Sequence, residues 1–249
     1  SDYGPNQRNK WRHAAFGIVI TQKLMGEITA AIGDELPPMH IAPMGVDTAN
    51  YVREQPYAPF SGEGPLRVFS CGRLNEVKGH HHLAEAIGLL RQRGLDAQLR
   101  VAGEDEQGGS GFHVELQQRI DALGLDDGAV PLLGAIPARQ VRAELDAAHV
   151  FSLASYHEPL GVAIMEAMAL SVPVVVTHAG GVKELVADGV DGLTVDPKDP
   201  DALARRIEEI ARDPSLAHRL GEAGRETVVE RFDSGRSADL SARGTLGTL

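Results

Sequence analysis

Cysteine is almost absent: Cys71 stands alone among 249 residues, which excludes an internal disulfide and fits a reducing compartment. No apolar run approaches the ~18 residues that would span a bilayer. Trp11-Arg12-His13 interrupts the only early apolar stretch, so nothing there reads as a secretory signal. Positive charge is in deficit as well. Lys and Arg number 24 against 35 Asp and Glu, a net charge of −11 that argues against a polyanion-binding surface and against nucleic acid as a partner. A small basic pocket remains compatible with that balance. What is abundant is ordinary apolar sequence, 43 % of the chain, enough for a folded core.

From about Pro65 short β-branched runs alternate with amphipathic segments. The pattern predicts a strand over 66–70, a helix over 79–93 and strands over 98–102 and 129–133 with a helix over 114–123 between them. Leu83, Ala86, Ile87 and Leu90 recur at helical spacing, and Pro137 is well placed to open the next helix. A strand over 149–154 leads to a turn at Glu158 and a helix reaching about Leu170. Strands over 172–176 and 192–195 enclose a short helix over 182–187, and two helices over 200–212 and 214–231 follow. Such alternation implies a parallel sheet of about six strands covered on both faces, an α/β, Rossmann-like doubly wound domain over residues 65–232. Ligands of these sheets bind beyond the carboxyl ends of the strands. Arg73, Gly103, Gly134, Glu158 and Gly180-Gly181 all follow predicted strands, so the unusual residues converge on one edge.

The first sixty or so residues differ. Residues 17–21 and 22–32 read as one strand and one helix, and Pro37-Pro38, Pro43, Pro56 and Pro59 mark an irregular linker, taken as residues 46–64. From Ser234 the composition is rich in Ser, Gly and Arg, and residues 233–249 are expected to be a frayed tail.

Two stretches carry chemistry. In Gly72-Arg73-Leu74-Asn75-Glu76-Val77-Lys78-Gly79, Arg73 and Lys78 place two cations on one strand-end loop, with Gly72 and Gly79 permitting close backbone approach. In His157-Glu158-Pro159-Leu160-Gly161-Val162-Ala163-Ile164-Met165-Glu166, two carboxylates stand eight positions apart, one in a turn and one in a helix. That helix begins with free backbone N–H groups, a site suited to an anion. Glu166 is flanked by Ile164, Met165, Ala167, Met168 and Ala169, so its helix is expected to be buried and its carboxylate to need a partner. Isolated, Arg73 and Lys78 would read as solvated loop charges, and Glu158 and Glu166 as exposed acids; their common place at strand ends weighs against this. A glycosidase pair is rejected, because its carboxyls sit ~5–9.5 Å apart whereas eight helical residues rise about 12 Å. The triplet His80-His81-His82 does not suggest a metal site, since adjacent helical side chains point ~100° apart. Cys71 reads as a small apolar strand residue.

Over about residues 40–232 these motifs, with His40-Ile41-Ala42-Pro43-Met44-Gly45-Val46-Asp47 before them, resemble glycosyltransferase family 4, the group 1 transferases with the E-x7-E motif and the two-domain GT-B architecture. The resemblance implies that the chain is the donor-binding half of a retaining transferase. Arg73 and Lys78 would hold the donor diphosphate and stabilise the leaving group, and Glu158 would lie beside the donor hexose. Glu166 would bind the ribose hydroxyls, Leu160, Gly161 and Val162 would offer backbone amides, and Ile136 would meet the base. Gly180-Gly181 suits close packing beneath the hexose or a plain turn, while Glu104 and Asp105 depart from the glycine-rich turn common at that position. Catalytic roles fall on Glu158, Arg73 and Lys78, with no metal and no cofactor beyond the nucleotide diphosphate sugar itself. Residues 1–45 would be the last strand and helix of an N-terminal Rossmann domain, so the acceptor half is expected to be missing from the chain. The implied partners are a saccharide or lipid-linked acceptor and that missing domain. The implied place is the cytoplasm, at the inner face of the membrane through peripheral association. An exposed interdomain face would favour oligomers. The competing reading is a non-catalytic nucleotide-sugar-binding module; a phosphorylase or epimerase on the same fold fits the Glu-Pro-Leu-Gly turn less well.

Overall fold

The computed structural model describes residues 9–11, 13–105, 109, 111–125 and 128–246. Six parallel strands form the main sheet: β3 (Leu66–Cys71), β4 (Ala97–Ala102), β5 (Leu132–Gly134), β6 (Val150–Leu153), β7 (Val174–Thr177) and β8 (Leu193–Val195). Their spatial order is β5-β4-β3-β6-β7-β8, so the chain winds outward from β3 in one direction and then returns to wind in the other. The switch point lies between β3 and β6, where open α/β sheets bind ligands. Two short strands, β1 (Gly17–Val19) and β2 (Met39–Ile41), pair in parallel as a separate small sheet.

Both faces of the main sheet are covered. On one, Leu66 and Val68 pack with Leu83, Ile87 and Leu90 of α2 (His80–Gln92), with α3 (Phe112–Ala122) and with Leu203 and Ile207 of α7 (Pro200–Arg212). On the other, Phe69 and Phe151 pack with Leu145 of α4 (Ala138–Ala147), Met165 and Met168 of α5 (Val162–Ala169) and Val228 of α8 (Pro214–Arg231). Strand β6 is buried at all four positions and β7 likewise, as expected of central parallel strands. The short helix α6 (Val182–Leu185) lies between β7 and β8.

Several boundaries follow from local chemistry. Helices α7 and α8 each begin with an Asp-Pro pair: the Asp199 carboxylate accepts from Ala202 N–H at 2.8 Å, and that of Asp213 from Ser215 and Leu216 N–H at 2.9 and 3.0 Å. Helix α1 (Gln22–Ile32) is capped by Thr21, whose hydroxyl accepts from Leu24 N–H at 3.1 Å, so the expected strand over 17–21 stops at Val19. The strand expected over 129–133 is displaced to Leu132–Gly134, where the pairing with β4 shifts register between Val101 and Ala102. Strand β7 begins at Val174 rather than 172.

Within the tail expected to fray over 233–249, Ser234–Leu246 forms a helix, α9, beside β2, while residues 247–249 lie outside the described residues. Asp233 accepts at its carboxylate from Gly235 N–H at 2.9 Å and from Thr48 Oγ1 at 2.6 Å. Val46 donates its N–H to Phe232 O and accepts at its carbonyl from Ser234 N–H, both at 2.9 Å. The chain therefore crosses back over its own linker before entering α9.

A second tie joins the small sheet to the main domain. The carboxylate of Glu184 in α6 accepts from the backbone N–H groups of Gln22 and Lys23, both at 2.8 Å, and so caps α1 from outside. Glu184→Ala should lower stability by about 0.5–2 kcal/mol, the range for losing a helix cap, with Glu184→Gln losing less because one acceptor remains. Urea unfolding of the two variants checks this order.

Candidate functional site

The loop after β3 carries Arg73 and Lys78 and is fixed at both ends. Leu74 is fully buried and donates its N–H to Glu104 O at 2.9 Å. Asn75 caps a single helical turn over Glu76–Lys78, its side chain accepting from Lys78 N–H at 3.1 Å. Gly79 follows at φ +67°, and a β-carbon there would stand 2.1 Å from Ala154 O. Its close approach is thus to the end of β6, whereas Gly72 has ordinary room for a side chain.

The loop after β6 meets the first one. Tyr156 N–H donates to Val77 O at 2.8 Å. The buried carboxylate of Glu158 accepts at Oε2 from Lys78 Nζ at 2.5 Å and from Ser155 Oγ at 3.4 Å. A third loop closes the group: Gly181 N–H donates to Glu158 O at 2.8 Å, and β-carbons at Gly180 and Gly181 would lie 2.1 Å from Glu158 O and 2.0 Å from Pro159 O. The glycine pair is therefore there for close packing under the Glu158 turn.

Gly161, at φ +93°, opens α5 without a side-chain cap. Its helix start, with Val162 and Ala163, borders a cleft of about 360 Å³ that is also lined by Arg73, Lys78, Glu158, Leu160 and Glu166. Seven of the eight expected site residues thus line one cavity. Ile136 does not; it packs against the Phe69–Phe151 side of the core. Asp105 is engaged as a helix cap, accepting from His113 N–H at 2.9 Å. The cleft combines cations and an uncapped helix start with two carboxylates, an arrangement matched to a ligand with an anionic part and a hydroxylated part.

Glu166 is half-buried, and burial pushes its carboxyl up; a hydrogen bond from the Tyr51 hydroxyl, 2.7 Å from Oε1, opposes that. The partner its apolar helix required comes from the linker, 115 positions away in sequence. Cys71 ends β3 at the cleft wall, and burial pushes its thiol up to about 11, so it stays a poorly nucleophilic thiol at neutral pH.

The histidine triplet holds a different arrangement from the divergent one expected. The ring centroids of His81 and His82 lie 4.1 Å apart with their planes tilted by 46°, and their Nε2 atoms lie 2.8 and 2.9 Å from the Tyr156 hydroxyl. Two adjacent rings do converge on one atom, a phenol rather than an ion. Among the described residues no group of three or more His, Cys, Asp or Glu is arranged to hold a metal. His80 is fully buried beneath the Arg73 loop.

The model of the family Glycosyl transferases group 1 matches residues 53–227, and the chain belongs to that family. It is 31 % identical to the putative colanic acid biosynthesis glycosyltransferase WcaL of Salmonella typhimurium, over 94 % of this chain and 57 % of that protein. The crystal structure of Anabaena Alr3699/HepE in complex with UDP and glucose superposes with a TM-score of 0.83 at 26 % identity, covering 96 % of this chain and 64 % of that one. The C-terminal domain of the group 1 glycosyl transferase LpcC from Francisella tularensis gives 0.65 at 25 % identity, with 76 % of this chain and 98 % of that one covered. Structural neighbours of the chain are GT-B glycosyltransferases. The chain spans about half the length of the curated relatives it matches. Among the described residues no helix is long and apolar enough to cross a membrane.

Burial holds three histidines neutral: His80 is pushed down to about 4, His81 to about 3 with help from His82, and His149 to about 4 with help from Arg67. The unfolded chain binds these protons near pH ~6.5. Their stability contribution is therefore complete above that pH and is lost as pH falls towards the folded values. A loss on the order of 1 kcal/mol per histidine by about pH 5 is expected from urea midpoints measured across the acid range.

Proposed function

We propose that this chain supplies the donor half of a retaining glycosyltransferase that uses a nucleotide diphosphate sugar. The observation that carries the reading is the cleft itself: Arg73, Lys78, the α5 start at Gly161, Glu158 and Glu166 share one cavity at the switch point of the sheet. The diphosphate would lie against Arg73, Lys78 and the helix start. These groups would stabilise the charge that develops on the leaving phosphate oxygen as the sugar C1–O bond breaks, without a divalent cation. The acceptor hydroxyl would attack C1 from the face the nucleotide leaves, passing its proton to the departing phosphate. Glu158, already paired with Lys78, would set the position of that cation and border the sugar. Glu166 would accept from the ribose, as an ionised carboxylate suits vicinal hydroxyls.

The HepE complex makes UDP the first nucleotide to test, with GDP and ADP beside it. The resemblance to WcaL, a putative colanic acid biosynthesis glycosyltransferase, supports a role in polysaccharide biosynthesis, for which we propose a saccharide or lipid-linked acceptor. Because the chain spans about half of its relatives, a donor-binding module without turnover is the second reading. A coupled assay for nucleotide release with added acceptor separates it from the transferase.

Calorimetry should detect one nucleoside diphosphate at micromolar affinity. Arg73→Ala and Lys78→Ala should each weaken it roughly tenfold to a hundredfold, the value of one charge-assisted contact. Undiminished affinity in both variants would remove the phosphate assignment.

A further inference from the structure

Glu166 is held from behind by a residue outside the sheet. Tyr51 belongs to the segment joining β2 to β3, and its hydroxyl donates to Glu166 Oε1 at 2.7 Å. Glu166 lines the cleft, whereas Tyr51 does not; its ring packs on the core cluster that contains Met165 and Met168. The strap carrying it is tied down on both sides. Tyr51 N–H donates to Asp47 O at 3.0 Å, and Tyr51 O accepts from Arg225 Nη1 at 2.8 Å. That same guanidinium donates to the Ala169 carbonyl at the end of α5, the helix bearing Glu166. Arg142 donates to the carbonyls of Asn50 and Val52 on either side. The phenol is therefore registered against α5 before any ligand arrives.

We propose that Tyr51 is a positioning residue for the donor site: its hydroxyl occupies Glu166 Oε1 from the core side and leaves Oε2 as one ionised acceptor for a nucleotide ribose hydroxyl. The proposal rests on the reading of the cleft as a donor site. A phenol has one proton to give, and giving it to the carboxylate fixes the carboxylate's rotation and favours its charged form. Burial, the larger effect, opposes that charge, and the Tyr51 hydrogen bond counters part of it. A neutral carboxyl would be the weaker partner, because hydrogen bonds to ionised groups are about twice as strong as neutral ones.

Tyr51→Phe keeps the ring in its packing and removes only the hydroxyl. Carbon-13 NMR of the Glu166 side-chain carboxyl, without ligand, should show its titration displaced to higher pH in the variant. An unchanged titration overturns the proposal. Calorimetry with UDP, GDP and ADP from about pH 5.5 to 8 then reads the consequence. Affinity in Tyr51→Phe should fall about tenfold at the acid end and much less at the alkaline end, as the carboxyl takes up its proton earlier. Glu166→Gln should bind weakly with no such pH dependence. A loss of equal size at every pH would mean that Tyr51 serves the packing of the strap alone, and overturns the proposal. A titration displaced in Tyr51→Phe, together with a wild-type protein that binds none of the three nucleotides, would overturn the donor reading and the ribose role, while upholding the hold of Tyr51 on Glu166.

Discussion

The backbone of Glu158 and Pro159 is pressed against Gly180 and Gly181 so closely that no side chain could stand between them. The same kind of contact sets Gly79 against the Ala154 carbonyl and Gly103 against that of Gly72. A parallel sheet buried on both faces leaves no room for polar chemistry within its strands, so the chemistry must sit on the loops at their carboxyl ends. Loops are ordinarily the mobile part of such a fold. Here backbone-to-backbone packing locks four of them together, and the cleft inherits the rigidity of the sheet beneath it. Gly79 and Gly180 also carry positive φ angles, so a β-carbon at either would add backbone strain to a steric clash.

The electrostatics follow from that packing. Lys78 and Glu158 are brought together while both are largely shielded from water, where neither would be tolerated alone. Each is the other's counter-ion, and the pair ties the β3 and β6 loops together. A diphosphate entering the cleft would meet a lysine already aimed and already partly neutralised. Binding would then depend on Arg73 and the α5 start as much as on Lys78, and the preorganisation that costs affinity in the ground state would favour the developing charge of a transition state.

Much of this was legible in the residues, and the reasons differ by element. The starts of α7 and α8 are written in Asp199-Pro200 and Asp213-Pro214, local signals that need nothing else from the chain. Cleft residues on the β3 and β6 loops could be found because strand-end position and side-chain type agreed. Ile136 still follows β5, but it lies on the core side rather than on the cleft wall, and the strand before it starts three residues later than its apolar run suggests, where the pairing with β4 shifts register. Helix α9 was missed because its stability is tertiary: Thr48 and Val46 fix its start, and β2 covers one side. Tyr51 gave no signal at all, since a tyrosine in a proline-bounded linker has no periodicity to read. The need of Glu166 for a partner was visible from its apolar neighbours, but not who would meet it.

That partner gives the linker a task beyond connection. The strand-poor segment from Gly45 to Phe60 is bound to the main domain by Arg142 and Arg225, crossed by the Phe232–Ser234 backbone, and placed by Tyr51 against a cleft carboxylate. On its other side the small sheet is joined to the Gly180-Gly181 loop, where Glu184 caps α1 and a β-carbon at Gly181 would meet Thr21. Two separated places before β3 thus meet the cleft-forming elements: Tyr51 of the linker behind Glu166, and the start of α1 at Thr21 beside the glycine pair under Glu158. The contacts that tie the linker and α1 to the main domain therefore fall at the two carboxylates: Tyr51 hydrogen-bonds Glu166, and Thr21 packs on the glycine that supports the Glu158 turn.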